Sequence, residues 1–161
     1  MDIYPIILLI CFIGIFIGAI VSFFVPEELK PLKKYFILTQ KIIIALILIA
    51  IVYFTQLNFI YTIILFIIIG FLLSFENYTK YLYFASPIAL YISQSNQQFM
   101  LIESFLIFFW SFIIAPINIE KYEKNEKFKK SKIKMKKELF YNNIWFLIIG
   151  LLIWLVFYFT V

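Results

Sequence analysis

Six apolar runs, separated by short polar breaks, determine what this chain can fold into. Lipid offers no water to backbone N–H and C=O groups, so an apolar run that enters a membrane must satisfy those groups internally, most simply as a helix. We interpret each run as one transmembrane helix and predict an all-α fold, a polytopic transmembrane helix bundle with six spans. The predicted spans are residues 5–25, 36–54, 59–75, 78–95, 99–119 and 139–160, with a basic cytoplasmic loop over 120–138.

The composition favours the same class. Only 14% of the residues are charged and 65% are hydrophobic, whereas about a quarter of the residues in a soluble globular protein are charged. A transmembrane helix needs about 20 residues, so six spans occupy most of the 161 residues. We therefore expect a single integral membrane domain over 1–161, embedded in the lipid bilayer as a multi-pass protein of the cell membrane.

The fourth apolar run, Tyr81–Ser93, is short and contains Pro87. As a helix it reaches only about 20 Å, so it could instead enter and leave the membrane on one side. The lysines favour a full crossing, because lysines that flank spans collect on the cytoplasmic side. With six spans, all fourteen lysines fall on one side and none on the other, and both termini lie outside.

Most of the lysines lie in one segment, Lys121–Lys137. A lysine near an anionic membrane surface contributes about 1 kcal/mol to binding. We expect this segment to fix the orientation of the chain and to bind anionic lipid. The chain has no arginine and no RNA-binding signature, so we expect no nucleic-acid partner.

The first span carries small residues at four-residue intervals, Gly14, Gly18 and Ser22. Small residues on one helix face let two helix backbones approach closely in a membrane. The face could pack against another helix of the same chain, or it could form a homo-oligomer or bind a membrane partner subunit. We expect Gly150, in the sixth span, to be less constrained.

Polar residues recur every seven positions in the fifth span. Seven steps of a helix return close to the starting direction, so such residues form one stripe. The fourth span has the same spacing, and the two spans should be antiparallel neighbours whose stripes face each other. They could form hydrogen-bonded packing or line a hydrated pathway. The residues are Gln97, Ser104, Ser111 and Asn118 in the fifth span and Thr79, Ser86 and Ser93 in the fourth.

Glu103 is an acidic residue about one turn inside the fifth span. An ionised carboxylate costs several kcal/mol at such a depth unless it finds water or a partner. Glu103 could hold a proton or a cation beside the stripe, or its side chain could extend to the outer interface. The expected companions are Ser104, Gln97, Gln98, Asn96 and Tyr91.

The residues that the chain lacks argue against catalysis. It has no histidine and no arginine, one aspartate (Asp2) and one cysteine (Cys11). A serine protease of the membrane would lack its base, and a two-aspartate protease would lack its pair. Haem and zinc sites built on histidine are likewise excluded. We expect no enzyme activity, no cofactor and no catalytic metal.

Two classes of function remain. The first is a small accessory or assembly subunit of a membrane complex, favoured by the lack of catalytic residues, the small-residue face and the absence of a soluble domain. The alternative is a small proton- or cation-linked transporter or channel that uses the polar stripe on helices four and five.

Overall fold

The computed structural model describes residues 3–24, 26–74, 79–123 and 132–160. Within these ranges the chain is helical and contains no β-strand. Single 3-10 turns at Pro26–Glu28 and Ser93–Ser95 precede the second α-helix and follow the fourth. The α-helices are α1 (Tyr4–Phe24), α2 (Leu29–Thr55), α3 (Phe59–Leu73), α4 (Thr79–Ile92), α5 (Gln97–Glu123) and α6 (Lys132–Thr160).

Four of the described helices contain a stretch long and apolar enough to cross a membrane. The helix α3 is apolar but shorter, and α4 has 14 residues, which reach about 21 Å. The described chain therefore has the helices of a multi-pass membrane protein. The four long stretches are Tyr4–Phe24, Pro31–Thr55, Gln97–Ile119 and Lys137–Val156.

The helix α2 begins at Leu29, well before the predicted span 36–54. The intervening residues include Pro31, which the first turn of a helix tolerates because its backbone N–H groups have no helical partner in any case. A polar segment can stay helical outside lipid, where water solvates its lysines. The polar break therefore does not mark the start of this helix.

The basic segment 120–138, predicted as the cytoplasmic connection between the last two spans, is helical at both of its described ends. The helix α5 continues to Glu123, and α6 already begins at Lys132. Residues 124–131, which connect the two helices, lie outside the described residues. The helices therefore extend beyond the apolar stretches that fit a membrane.

The helices α1 and α5 run parallel to each other and form the centre of the bundle. Near the start of both helices, the Cys11 thiol donates to the carbonyl oxygen of Ser104 at 3.4 Å. Further along both, Gly18 lies against Phe112. The starts of α1 and α5 therefore lie at the same end of the bundle, which we call the first end, opposite the second end.

The helices α2 and α4 run in the opposite direction. Phe54, near the end of α2, stacks on Phe99 near the start of α5, with ring centroids 4.8 Å apart. The hydroxyl of Tyr4 donates to the carbonyl oxygen of Pro87, in the second half of α4, at 3.1 Å. Both α2 and α4 therefore end at the first end of the bundle.

The helix α6 also runs antiparallel to α1. Phe140, early in α6, lies edge-on to Phe12 at 5.9 Å, whereas Gly150 lies against Leu8, closer to the start of α1. A Cβ atom added at Gly150 would come 2.5 Å from the Leu8 side chain, which is fully buried. The atoms met at Gly150 are the end of a side chain, whereas Cβ atoms added at Gly14 and Gly18 would meet backbone carbonyl oxygens, so the expectation that Gly150 is less constrained stays a prediction.

The helix α3 lies at the edge of the bundle. It contains no buried residue, and a Cβ atom added at Gly70 would meet nothing within 4 Å. Three partly buried residues, Leu65, Ile69 and Leu73, contact the core. Because α2 ends at the first end and α4 starts towards the second, α3 carries the chain from one end to the other.

Candidate functional site in the bundle interior

Glu103 is fully enclosed within the bundle. Its exposed fraction is 0%, and neither carboxylate oxygen has a hydrogen-bond partner in the described part of the chain. A side chain extended to the membrane interface would be exposed, so this conformation differs from that alternative. Burial of a polar group without a hydrogen bond costs free energy, and that cost is much larger for the ionised carboxylate than for the neutral acid.

The companions expected for Glu103 make other contacts. The Ser104 hydroxyl donates to the carbonyl oxygen of Met100 one turn earlier in α5. The Asn96 side chain caps the start of α5, where its Oδ1 accepts from the backbone N–H groups of Gln98 at 2.9 Å and Phe99 at 3.2 Å. The Asn96 side chain therefore caps the start of α5 and does not pair with the acid.

Two further expected companions likewise form no hydrogen bond with Glu103. The side chain of Gln97 is exposed at the start of α5. Tyr91 is half-buried in α4 and lies edge-on to Tyr4, with ring centroids 5.8 Å apart. The structure therefore places Glu103 inside the bundle without the hydrogen-bonding companions that the sequence suggested.

Apolar and aromatic side chains surround Glu103 on its own helix. Phe99, Ile107 and Trp110 lie four residues before, four after and seven after Glu103, so they share its side of α5. All three are buried. The Trp110 indole N–H also lacks a hydrogen-bond partner within the described ranges. One face of α5 thus presents an unpaired acid and, about 10 Å further along the axis, an unpaired donor.

The ring of Trp110 joins this face to α4. It lies edge-on to Tyr83 at 5.6 Å, and Tyr83 stacks on Phe146 of α6 at 4.7 Å. The Tyr83 hydroxyl and the Ser111 hydroxyl are 2.9 Å apart and form a buried hydrogen bond. Through this bond, Ser111 of the predicted α5 stripe contacts α4.

The stripe on α5 faces α1 more than α4. The carbonyl oxygen of Ser104 accepts from Cys11, and a Cβ atom added at Gly14 would come 3.0 Å from Cβ of Ser111. Asn118, at the far end of the stripe, is half-buried. The prediction that the stripes of helices four and five face each other is therefore wrong for most of their length, because α5 packs chiefly on α1 and α4 chiefly on α6.

Ser86 of α4 and Ser93 of the 3-10 turn that follows it both donate to carbonyl oxygens of α4. Ser86 donates to the carbonyl oxygen of Tyr83 at 2.7 Å, and Ser93 donates to that of Leu90 at 2.7 Å. Pro87 has no N–H, so it cannot donate to Tyr83, four residues earlier. The Ser86 hydroxyl thus satisfies the carbonyl that Pro87 leaves unpaired. Both serines are buried, and Ser86 completes the backbone hydrogen bonds of a helix that carries a proline.

The small residues of α1 form a close contact with α5 inside the same chain. A Cβ atom at Gly14 would come 2.7 Å from the Phe108 carbonyl oxygen, and one at Gly18 would overlap the carbonyl of Phe112. Ser22 donates back to the carbonyl oxygen of Gly18 at 2.7 Å. Of the alternatives for this face, the structure presents the internal helix contact.

Tyr83 and Trp110 are interior polar residues that the sequence analysis does not identify. Trp110 follows Glu103 by seven residues, the same spacing that defines the serine stripe, so this signal could have found it. Tyr83 has no such signal, because its partner Ser111 lies on another helix. Within the described residues, no group of three or more histidine, cysteine, aspartate or glutamate side chains could hold a metal ion.

No protein-family model, curated protein or solved structure matches this chain, so the role of the site is inferred from its own residues.

Proposed function

We propose that the chain crosses the cell membrane six times, with both termini outside. The alternating directions of the helices support this arrangement, as does the path of α3 from the first end of the bundle to the second. The lysines of the described helices support it as well, because each lies in the half of its helix nearer the second end. The second end then faces the cytoplasm, in accord with the usual placement of lysines beside spans.

We propose further that the protein is a small proton- or cation-linked transporter or channel whose carrier group is Glu103. The observation that carries this proposal is the complete burial of Glu103 without a hydrogen-bond partner in the described structure. Ionisable residues inside membrane spans are rare and most often mark ion or substrate pathways. Burial of Glu103 costs free energy and adds no hydrogen bond to the fold within the described residues. We therefore attribute its place in the interior to its capacity to bind and release an ion.

The free-energy cost of burying a charged carboxylate explains how Glu103 would carry an ion. An ionised carboxylate in an apolar interior must be neutralised by a counter-charge or a proton. A mobile proton or cation that binds Glu103 removes this cost, and its release to the opposite side restores it. Access of Glu103 to water on alternate sides would then move the ion across the membrane.

Flux measurements in liposomes test this function. The purified protein is reconstituted with a pH-sensitive dye inside, and a pH gradient is applied with potassium and valinomycin to clamp the membrane potential. We expect the wild-type protein to dissipate the gradient and Glu103→Gln to fall to the level of protein-free liposomes. Glu28→Gln is the matched control, because Glu28 is exposed at the start of α2, and it should retain the flux.

A second candidate function is an accessory or assembly subunit of a membrane complex. The observation that favours it is α3, which contains no buried residue and so adds little to the core of its own bundle. Such a helix is available to pack against another membrane protein. Purification in mild detergent tests this function: a stoichiometric partner supports it, and a protein that purifies alone or only with itself contradicts it.

A further inference from the structure

We propose that the ion bound by Glu103 is a proton and not a metal cation. This inference rests on the proposed transport function and specifies which ion the site accepts. It is drawn from the atoms that surround Glu103. A metal ion and a proton make different demands on a site, and the described side chains on the same face of α5 meet only those of the proton.

A metal cation needs several oxygen ligands. Calcium takes six to eight and magnesium an octahedron, and binding of a dehydrated sodium or potassium ion likewise requires a shell of oxygens to replace its water. Glu103 supplies two oxygens, and its neighbours on that face of α5 supply none, since Phe99 and Ile107 are hydrocarbons. Trp110 offers only an N–H donor, which cannot ligate a cation.

The nearest hydroxyl and amide oxygens along the chain point elsewhere. Ser104 bonds to the carbonyl of its own helix and lies on the side of α5 that faces α1. Ser111 is bonded to Tyr83, and Asn96 caps the exposed start of α5. These three side chains therefore do not bond to Glu103, and among the described residues of α5 a bare metal ion beside it would find only the two carboxylate oxygens.

No fixed counter-charge is described close to Glu103. The lysines of α2 lie in the half of that helix away from Phe54, and Phe54 is the α2 residue that reaches the level of Phe99. The turn Ser93–Ser95 has no titratable side chain, and the described charged residues of α6 lie at its start, at the second end. The titratable side chains of α1 and α4 that are buried or half-buried are Tyr4, Cys11, Tyr83 and Tyr91.

A proton needs only one bond to Glu103, the O–H bond to a carboxylate oxygen. Hydronium transfers its proton to a carboxylate oxygen of Glu103, so that an O–H bond forms, a water molecule leaves and the side chain becomes a neutral carboxylic acid. On the opposite side the same O–H bond breaks, and water accepts the proton. No second ligand is required, which matches a buried carboxyl group that shares its face of α5 with hydrocarbon and aromatic side chains.

Replacement of the cation tests this inference. Proton flux into liposomes is measured with sodium, with potassium and with choline as the only monovalent cation. The gradient is a pH difference in each case, and a permeant anion, thiocyanate, on both sides clamps the membrane potential in all three media. We expect the flux that Glu103→Gln removes to be equal in all three media. Flux that requires sodium or potassium and is lost in choline would overturn the proton assignment, while its loss in Glu103→Gln would leave the proposed transport function standing.

Equal flux for wild type and Glu103→Gln in every medium would contradict the proposed transport function itself. Glu103→Asp separates chemistry from folding, because it keeps the carboxylic acid and shortens the side chain. We expect Glu103→Asp to retain cation-independent flux at a reduced rate. Loss of flux in Glu103→Asp, in a protein that remains folded by thermal unfolding, would contradict a carrier that needs only a carboxyl group.

Discussion

Gly18 of α1 lies directly against the backbone carbonyl of Phe112 of α5, so closely that even a methyl group at Gly18 would overlap it. The contact has a cause in α5. Pro116 has no N–H to donate to the Phe112 carbonyl four residues earlier, and the glycine lets this carbonyl meet the Cα–H groups of α1. Such contacts recur where membrane helices pack closely.

We predict that Gly18→Ala destabilises the protein by about 1–3 kcal/mol, the usual range for overpacking, because the methyl group must push two backbones apart. Gly70→Ala is the matched control, since a Cβ atom there meets nothing within 4 Å. Thermal unfolding in detergent should show a lower midpoint for Gly18→Ala and no loss for Gly70→Ala. Equal shifts in both variants would contradict the close contact.

The bond from Ser86 to the Tyr83 carbonyl gives a second prediction. Ser86→Ala should cost about 1 kcal/mol, because the carbonyl opposite Pro87 loses its donor. In a Pro87→Ala background, the new N–H of residue 87 can donate to Tyr83, so Ser86→Ala should cost less. Unfolding of the two single variants and the double variant measures this coupling, and strictly additive effects would show that Ser86 does not compensate for the proline.

Much of the helical layout could be predicted from apolar run lengths. The helix α1 covers Tyr4–Phe24 against the predicted 5–25, and α4 with its 3-10 turn covers 79–95 against the predicted 78–95. An apolar run inside lipid must be helical, so the positions of these helices follow from where the apolar runs begin and end in the sequence. The starts of α2 and α6 could not be found in this way. Both helices begin in polar segments before the apolar runs, and a polar segment can remain helical in water.

The neighbours of each helix could not be predicted from one sequence. The seven-residue spacing correctly defines a face of α5, but it does not reveal that α1 covers this face and that α4 packs chiefly on α6. For the same reason the companions named for Glu103 are wrong. They were chosen by proximity along the chain, whereas burial of Glu103 depends on how helices distant in sequence come together.

The number of crossings gives a third prediction. Single cysteines are placed at Glu27, Asn58 and Ser74, all exposed, in a Cys11→Ser background. With six crossings, an impermeant thiol reagent applied to intact cells should label Asn58→Cys and should label Glu27→Cys and Ser74→Cys only after permeabilisation. Labelling of Ser74→Cys in intact cells would mean that α3 and α4 do not cross, which leaves four spans.

The most direct test of the account is the stability of Glu103→Met. Methionine is similar in length to glutamate and has no group that needs a hydrogen bond. It should therefore occupy the site without the free-energy cost of burying an unpaired polar group. We predict that Glu103→Met unfolds at a higher temperature than wild type, with a gain of about 1–3 kcal/mol, the cost of an unsatisfied buried polar group, and has lost proton flux. A Glu103→Met protein that is less stable than wild type would show that Glu103 holds the fold together, and would contradict its role as an ion carrier.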